Sequence, residues 1–251
     1  MEQLSKAAIK KIQSLDQAKG RRKLGLFLAE GTKCVLTMAQ KFKAVRVFAR
    51  AEWLQENEAP AGADLTVCSG TDLREISHLN TLPPVAALFE LPKEAADLPD
   101  AAGEFVVALD CVQDPGNLGT IIRSCDWMGI RHIVASNDTV DAFNPKTVQA
   151  SMGSLANVTV HYTALPEYLA AVKAPVYGTF LGGEDAFTMD FGRNGVLVMG
   201  NEGNGIRPEV ETFVGRRITI PAAPSTVAES LNVATATAML LAIRQKSIST
   251  I

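Results

Sequence analysis

Glu104-Phe-Val-Val-Ala-Leu-Asp110 is the stretch that most restricts what this chain can fold into. Its five apolar residues have no polar face, so a strand made of them is buried on both sides. Apolar runs of the same kind recur at 132–135, 176–180, 196–199 and 217–220, with helical patterns between them near 118–128, 145–154, 166–172 and 230–245. Doubly buried strands alternating with helices predict an α/β domain, doubly wound around a mainly parallel sheet. Ligands of such sheets sit beyond the carboxyl ends of the strands. The loops leaving these runs are therefore where chemistry is to be sought.

The N-terminal part reads as a second, smaller α/β domain. Leu4, Ala8, Ile12 and Leu15 recur at helical spacing among lysines, which predicts an amphipathic helix ended by Gly20 and the basic run 19–23. Strands are expected at 24–29, 45–49, 65–68 and 85–91, and helices at 31–40 and 71–76. The stretch 91–103 contains Pro92, Pro99 and small residues without periodicity. The expected organisation is a substrate-holding domain at 1–92, a linker at 93–103 and the main domain at 104–251.

Charge is distributed unevenly. Net charge is −3, yet residues 1–50 carry twelve Lys and Arg against three Asp and Glu, whereas 51–102 carry two against ten. The asymmetry suggests an anion-binding face around Lys10, Lys11, Arg21 and Arg22; a solvated basic helix is the other reading. Cys34, Cys68, Cys111 and Cys125 form no C-x-x-C pair and only three histidines exist, so neither a metal site nor a disulfide framework is expected, and all four thiols read as buried. No apolar run approaches membrane-spanning length and the first residues lack a signal-peptide core, so a cytoplasmic protein without membrane contact is expected.

Three loops follow three of the apolar runs. In the first, Asp114-Pro-Gly makes a tight turn and Asn117 can cap the next helix. That helix buries Leu118, Ile121, Ile122 and Cys125 and leaves Arg123 off the stripe, where an ordinary surface arginine and a functional one look alike. In the second, Gly200, Gly203 and Gly205 surround Glu202. The glycine order is that of neither a dinucleotide fold nor a P-loop, and glycine would let the backbone approach a ligand. In the third, a polar loop after Pro221 leads to Ser230 and Asn232, which suit helix capping as well as ligand contact.

Taken together, Asn117 and Arg123 in the first loop, Gly200-Asn-Glu-Gly-Asn-Gly-Ile206 in the second, and Ile220-Pro221 with Ser230-Leu-Asn-Val233 in the third resemble the three motifs of SpoU/TrmH-type RNA 2′-O-ribose methyltransferases of the SPOUT superfamily. Arg22 and Phe27-Leu-Ala-Glu-Gly31 resemble the RNA-binding domain attached to many members. The resemblance implies a C-terminal sheet tied into a trefoil knot, S-adenosyl-L-methionine as cofactor, ribosomal or transfer RNA as substrate (ribosomal favoured by the long N-terminal part), and a homodimer. It places Gly200, Ile220, Leu231, Thr179 and Leu181 around the cofactor. One departure is Ala222-Ala-Pro224, where members commonly carry Met and a shorter loop with Gly.

The implied reaction is in-line displacement at a sulfonium methyl, which needs positioning and alkoxide stabilisation but no metal. The resemblance gives Arg123 the central role. Arginine stays protonated, so orienting a phosphate and stabilising the alkoxide suit it better than proton removal. Asn117, Glu202, Ser230 and Asn232 would complete the polar shell. A non-catalytic RNA-binding protein retaining the fold, and a nucleotide-using α/β enzyme outside RNA biology, are the readings from other classes. The first would be favoured by loss of Arg123 or Asn232, both present here; the second is opposed by the glycine order and the basic N-terminal fifth.

Overall fold

A computed structural model of the chain describes residues 4–93 and 97–249; residues 94–96, inside the expected linker, lie outside it. The described residues form two compact units, and their membership does not follow chain order. Residues up to 93 associate with Asp141–Asn157, and the remainder forms the second unit.

The first unit contains α1 (Lys6–Gln13), α2 (Ala18–Leu24), β1 (Leu26–Glu30), α3 (Thr32–Met38), β2 (Ala44–Ala49), α4 (Trp53–Glu56), β3 (Asp64–Val67), α5 (Gly70–Ile76) and β4 (Val85–Glu90). Its sheet has the order β1-β4-β2-β3, with β4 antiparallel to β1 and β2, and β2 parallel to β3. The strands alternate as period 2 requires. Leu28, Phe48, Ala86 and Leu88 pack with Ile12, Leu15, Leu73 and Ile76. Phe27 turns the other way, onto Phe89, Phe42 and Phe143, the last supplied by the 141–157 segment.

The basic run 19–23 is not a helix terminator but lies in a second helix, α2. Gly20 sits inside it for reasons of space. A Cβ there would lie 1.8 Å from the carbonyl oxygen of Ser14, in the 3-10 turn that joins α1 to α2.

His78 adds a pH-dependent contact to this unit. Its Nδ1 meets Glu30 Oε1 at 2.9 Å and its Nε2 meets Asp16 Oδ1 at 2.7 Å. The Glu30 bond raises its pKa above the ordinary value, burial pulls the other way, and Asp16 adds to the rise. A histidine whose pKa is raised by folding stabilises fully below the unfolded value of about 6.5, and that contribution is lost as pH rises through the folded value. The stability difference between the native chain and His78→Gln is therefore expected to be largest in acid and to shrink with rising pH. Denaturant melts at about pH 5.5 and about pH 8.5 check this; a difference that grows with pH contradicts it.

The second unit contains β5 (Phe105–Leu109), α6 (Pro115–Trp127) and β6 (His132–Ser136). The chain then leaves to place α7 (Pro145–Ser151) in the first unit. It returns for β7 (Thr159–Thr163), α8 (Leu165–Ala171), β8 (Val176–Asp185), β9 (Gly195–Met199), α9 (Pro208–Glu211), β10 (Arg216–Thr219) and α10 (Val233–Ser249). Every pairing in the six-stranded sheet, β10-β8-β9-β5-β6-β7, is parallel. Val106, Ala108, Val134, Val196 and Val198 pack with Leu165, Leu169, Ile206 and Val210 on one face, while Val107, Leu109, Leu197 and Met199 are equally buried. The sheet is thus covered on both sides, as its unbroken apolar runs predict. Cys34, Cys68 and Cys125 are buried as expected, whereas Cys111 is only half-buried.

Candidate active site

The carboxyl ends of β5, β9 and β10 carry the three loops. In the first, Asp114 rather than Asn117 caps α6: its Oδ1 accepts the amide N–H of Asn117 at 2.8 Å, and Pro115 opens the helix. Asn117 therefore lies in the first turn, its side chain released from capping. Its Nδ2 donates to Glu202 Oε1 at 2.9 Å, and its Oδ1 accepts from Asn232 Nδ2 at 2.9 Å. Asn232 is itself the cap of α10, its Oδ1 accepting from the amides of Ala234 and Thr235. One hydrogen-bonded line, Glu202–Asn117–Asn232, thus ties together loops 85 and 115 residues apart in sequence.

Arg123 and Ser230 are not part of that line. Both are exposed, and their side chains make no hydrogen bond or ion pair among the described residues. Ser230 precedes α10 instead of capping it. Arg123 lies about 9 Å further along α6 than Asn117, opposite the buried stripe of Leu118, Ile121, Ile122 and Cys125. A long cation held out in this way is available to a group that arrives from outside.

The glycine loop folds back on itself. Asn201 and Gly205 exchange both backbone hydrogen bonds, at 2.9 and 3.0 Å, and Asn201 Oδ1 accepts from the amides of Gly203 and Asn204. Two of the three glycines are obligatory for this reason. A Cβ on Gly200 would lie 2.2 Å from the carbonyl carbon of Gly205, and Gly205 itself has φ +69°. Gly203 has no such constraint, since its Cβ would come no nearer than 3.6 Å to Asn201 Oδ1. The close approach foreseen for Gly200 is thus made first by the loop's own backbone.

The remaining cofactor candidates stand within β8 (Thr179 and Leu181), directly after β10 (Ile220) and two residues before α10 (Leu231). Gly178 of β8 pairs with Val198 of β9, and Thr179 Oγ1 donates to the Val198 carbonyl at 3.3 Å. Thr219, before Ile220, donates from Oγ1 to the Leu181 carbonyl at 3.4 Å. Leu181 is 83% exposed and Leu231 46% exposed. Apolar side chains held in solvent beside backbone polar groups suit a flat aromatic base with polar edges, and in this respect the site fits an adenosine-containing cofactor.

Asp110, Asn201 and Arg207 also belong to this site, and sequence reasoning missed them. Asp110, fully buried after β5, accepts from Arg207 Nε at 2.8 Å and from its backbone N–H at 2.8 Å. Arg207 Nη1 donates to Asp138 Oδ2 at 2.9 Å. A hydrogen bond from Ser136 chiefly lowers the Asp138 pKa, with Cys111 and Arg207 adding to the fall against burial. A charged residue ending an apolar run, and an arginine closing a glycine loop, are the available signals, but their separation of 97 positions hides the pairing.

Of the expected RNA-facing residues, Lys10, Lys11 and Arg22 are exposed. Arg21 requires correction: it is 2% exposed, bonded to Asp141 Oδ2 through Nη2 at 2.5 Å and Nε at 3.0 Å, and it donates from Nη1 to the carbonyls of Leu15 and Asp16. On a short helix its side chain takes the inward face. Arg21→Ala is expected to cost on the order of 3 kcal/mol of stability, whereas Arg22→Ala should change it by about 0.5 kcal/mol at most. Thermal melting checks both, and equal effects would contradict the assignment.

Comparison with known proteins places the chain in a family. The SpoU rRNA Methylase family model matches residues 104–242, and the MRM3-like substrate binding domain model matches residues 6–87. The chain is 31% identical over 249 residues to the 23S rRNA (guanosine(2553)-2′-O)-methyltransferase RlmP of Bacillus subtilis, covering 96% of this chain and 98% of that protein. Among solved structures, one of the TrmH family from Porphyromonas gingivalis superposes with TM-score 0.87 at 38% identity, covering 98% of this chain and 99% of that one. An AdoMet-bound rRNA methyltransferase from Sinorhizobium meliloti superposes with TM-score 0.83 at 30% identity, covering 98% and 97%.

Proposed function

Because the chain belongs to the SpoU rRNA methylase family, we propose that it transfers a methyl group from S-adenosylmethionine to a ribose 2′-hydroxyl of ribosomal RNA. The observation that carries this reading is the Glu202–Asn117–Asn232 line, which gathers three separate loops at the carboxyl end of the parallel sheet, with the exposed Arg123 about 9 Å further along α6. The cofactor, when bound, supplies a methyl already activated on sulfonium.

The chain's own residues supply position and electrostatics. Ile220, Leu231 and Leu181 offer apolar surface to the adenosine beside the Gly200 turn. Arg123 holds the phosphate next to the target ribose and stabilises the developing alkoxide, a role its permanent charge and planar donors suit. Asn117 is fixed from both sides, so it and Glu202 keep the mouth of the site in one arrangement. Ser230, exposed at the start of the last motif, is assigned to the same polar shell.

The first unit is the RNA-holding part in this proposal, through Lys10, Lys11 and Arg22. Reversing those three charges is expected to weaken RNA binding and flatten its salt dependence while leaving cofactor affinity unchanged; unaltered RNA affinity would show the face to be plain solvated surface. The trefoil threading of the last segment and a homodimeric state belong to the same proposal, and Trp127, 86% exposed at the end of α6, offers apolar surface for a second copy. Among the described residues no helix is long and apolar enough to cross a membrane. Mapping ribose methylation in ribosomal RNA from cells lacking the chain tests the function: one mark is expected to disappear, and persistence of every mark overturns it.

A further inference from the structure

We propose that Asp110 and Arg207 are the positioning pair of this site, fixing both ends of the glycine loop so that Glu202 stays within reach of Asn117. The proposal rests on the reading of the site as that of an RNA ribose methyltransferase.

The loop runs from Met199, the last residue of β9, to Arg207, which precedes α9. Asp110 holds its entrance through the backbone, donating its N–H to the Met199 carbonyl at 2.9 Å. It holds the exit through its carboxylate, which receives the backbone N–H, Nε and Nη2 of Arg207 at 2.8, 2.8 and 2.5 Å. The next residue, Cys111, holds the middle: its carbonyl accepts from Asn201 Nδ2 at 2.7 Å. Cys111 has φ +59°, unusual for a residue other than glycine, and its own N–H is bound to Ser136 Oγ at 2.8 Å. A carboxylate wholly removed from water needs compensation, and here the donors to it among the described residues all belong to Arg207, the residue that closes the loop.

Glu202 lies between these fixed points and is exposed; among the described residues its carboxylate accepts only from Asn117 Nδ2 at 2.9 Å and from Asn201 Nδ2 of the same loop at 3.4 Å. Its place opposite Asn117 therefore depends on the loop's ends, not on packing of its own. Nothing in Asp110 or Arg207 need touch the reacting atoms. Both act through the loop, and the planar fork of Arg207 spans Asp110 and Asp138 in a way an ammonium cannot.

The test compares Arg207→Lys, Glu202→Gln and the double variant. Lysine keeps a positive charge for the buried Asp110, so the variant is expected to fold with nearly native melting. In the cofactor-free chain, hydrogen exchange in the segment 200–207 is expected to quicken about tenfold in Arg207→Lys, with the rest of the second unit unaltered. In labelled methyl transfer to ribosomal RNA from cells lacking the chain, kcat is expected to fall on the order of 100-fold with RNA KM little changed. The double variant should be no worse than the poorer single one, as expected for residues acting through one another. Unchanged exchange in 200–207, or losses that multiply in the double variant, overturns the positioning role. A native chain that transfers no methyl overturns the functional reading and the proposal with it.

Discussion

Arg123→Ala is expected to abolish methyl transfer and leave the folded protein intact. The side chain is exposed and has no bond to lose among the described residues, so its removal should shift stability by about 0.5 kcal/mol at most. If it stabilises the alkoxide or holds the neighbouring phosphate, turnover should fall at least on the order of 100-fold. Arg123→Lys should fail nearly as badly, because a single ammonium does not reproduce the planar fork. Labelled methyl transfer, with thermal melting as control, decides it. Near-native turnover by well-folded Arg123→Ala would place the catalytic centre elsewhere.

Gly200→Ala is expected to be the other severe change, for a different reason. The added methyl would meet backbone of Gly205 and Ile206 at 2.2 to 2.6 Å, where no side chain can swing aside. The loop would have to open, breaking the paired hydrogen bonds between Asn201 and Gly205 and drawing Glu202 away from Asn117. A stability loss of about 1–3 kcal/mol follows from such overpacking, and cofactor affinity measured by calorimetry should fall on the order of 100-fold. Gly203→Ala is the matched control, since its added methyl finds ordinary contact distance; its affinity should be near native. Equal behaviour of the two variants would show that the fold of the loop does not govern binding.

The central strands of the second sheet were legible because both faces are buried and the sequence has no choice but apolar runs. β7 was not, because Thr-Val-His-Tyr-Thr is the edge strand, half-wet and mixed in character. α2 was hidden by Gly20 and its basic neighbours, which look like a terminator until the Ser14 carbonyl is found against the glycine. The capping role given to Asn117 fell to Asp114, three residues earlier, and only the fold shows that this frees Asn117 to join Glu202 and Asn232. Arg21 has the opposite history: in sequence it is one more member of a basic run, and its partner Asp141 lies 120 residues away. Nor does any composition change mark the departure of 141–157 to the first unit. Local physics found the loops and the family resemblance grouped them, but the pairings that hold them in place are long-range.

Ribosomal RNA from cells lacking the chain, incubated with the purified protein and S-adenosylmethionine carrying a labelled methyl, then hydrolysed in alkali, tests the proposed activity most directly. A methylated 2′-oxygen cannot attack its neighbouring phosphate, so the label is expected in alkali-resistant dinucleotides. Label released in mononucleotides, as from a methylated base, or no incorporation at all, would contradict ribose 2′-O-methylation by this site.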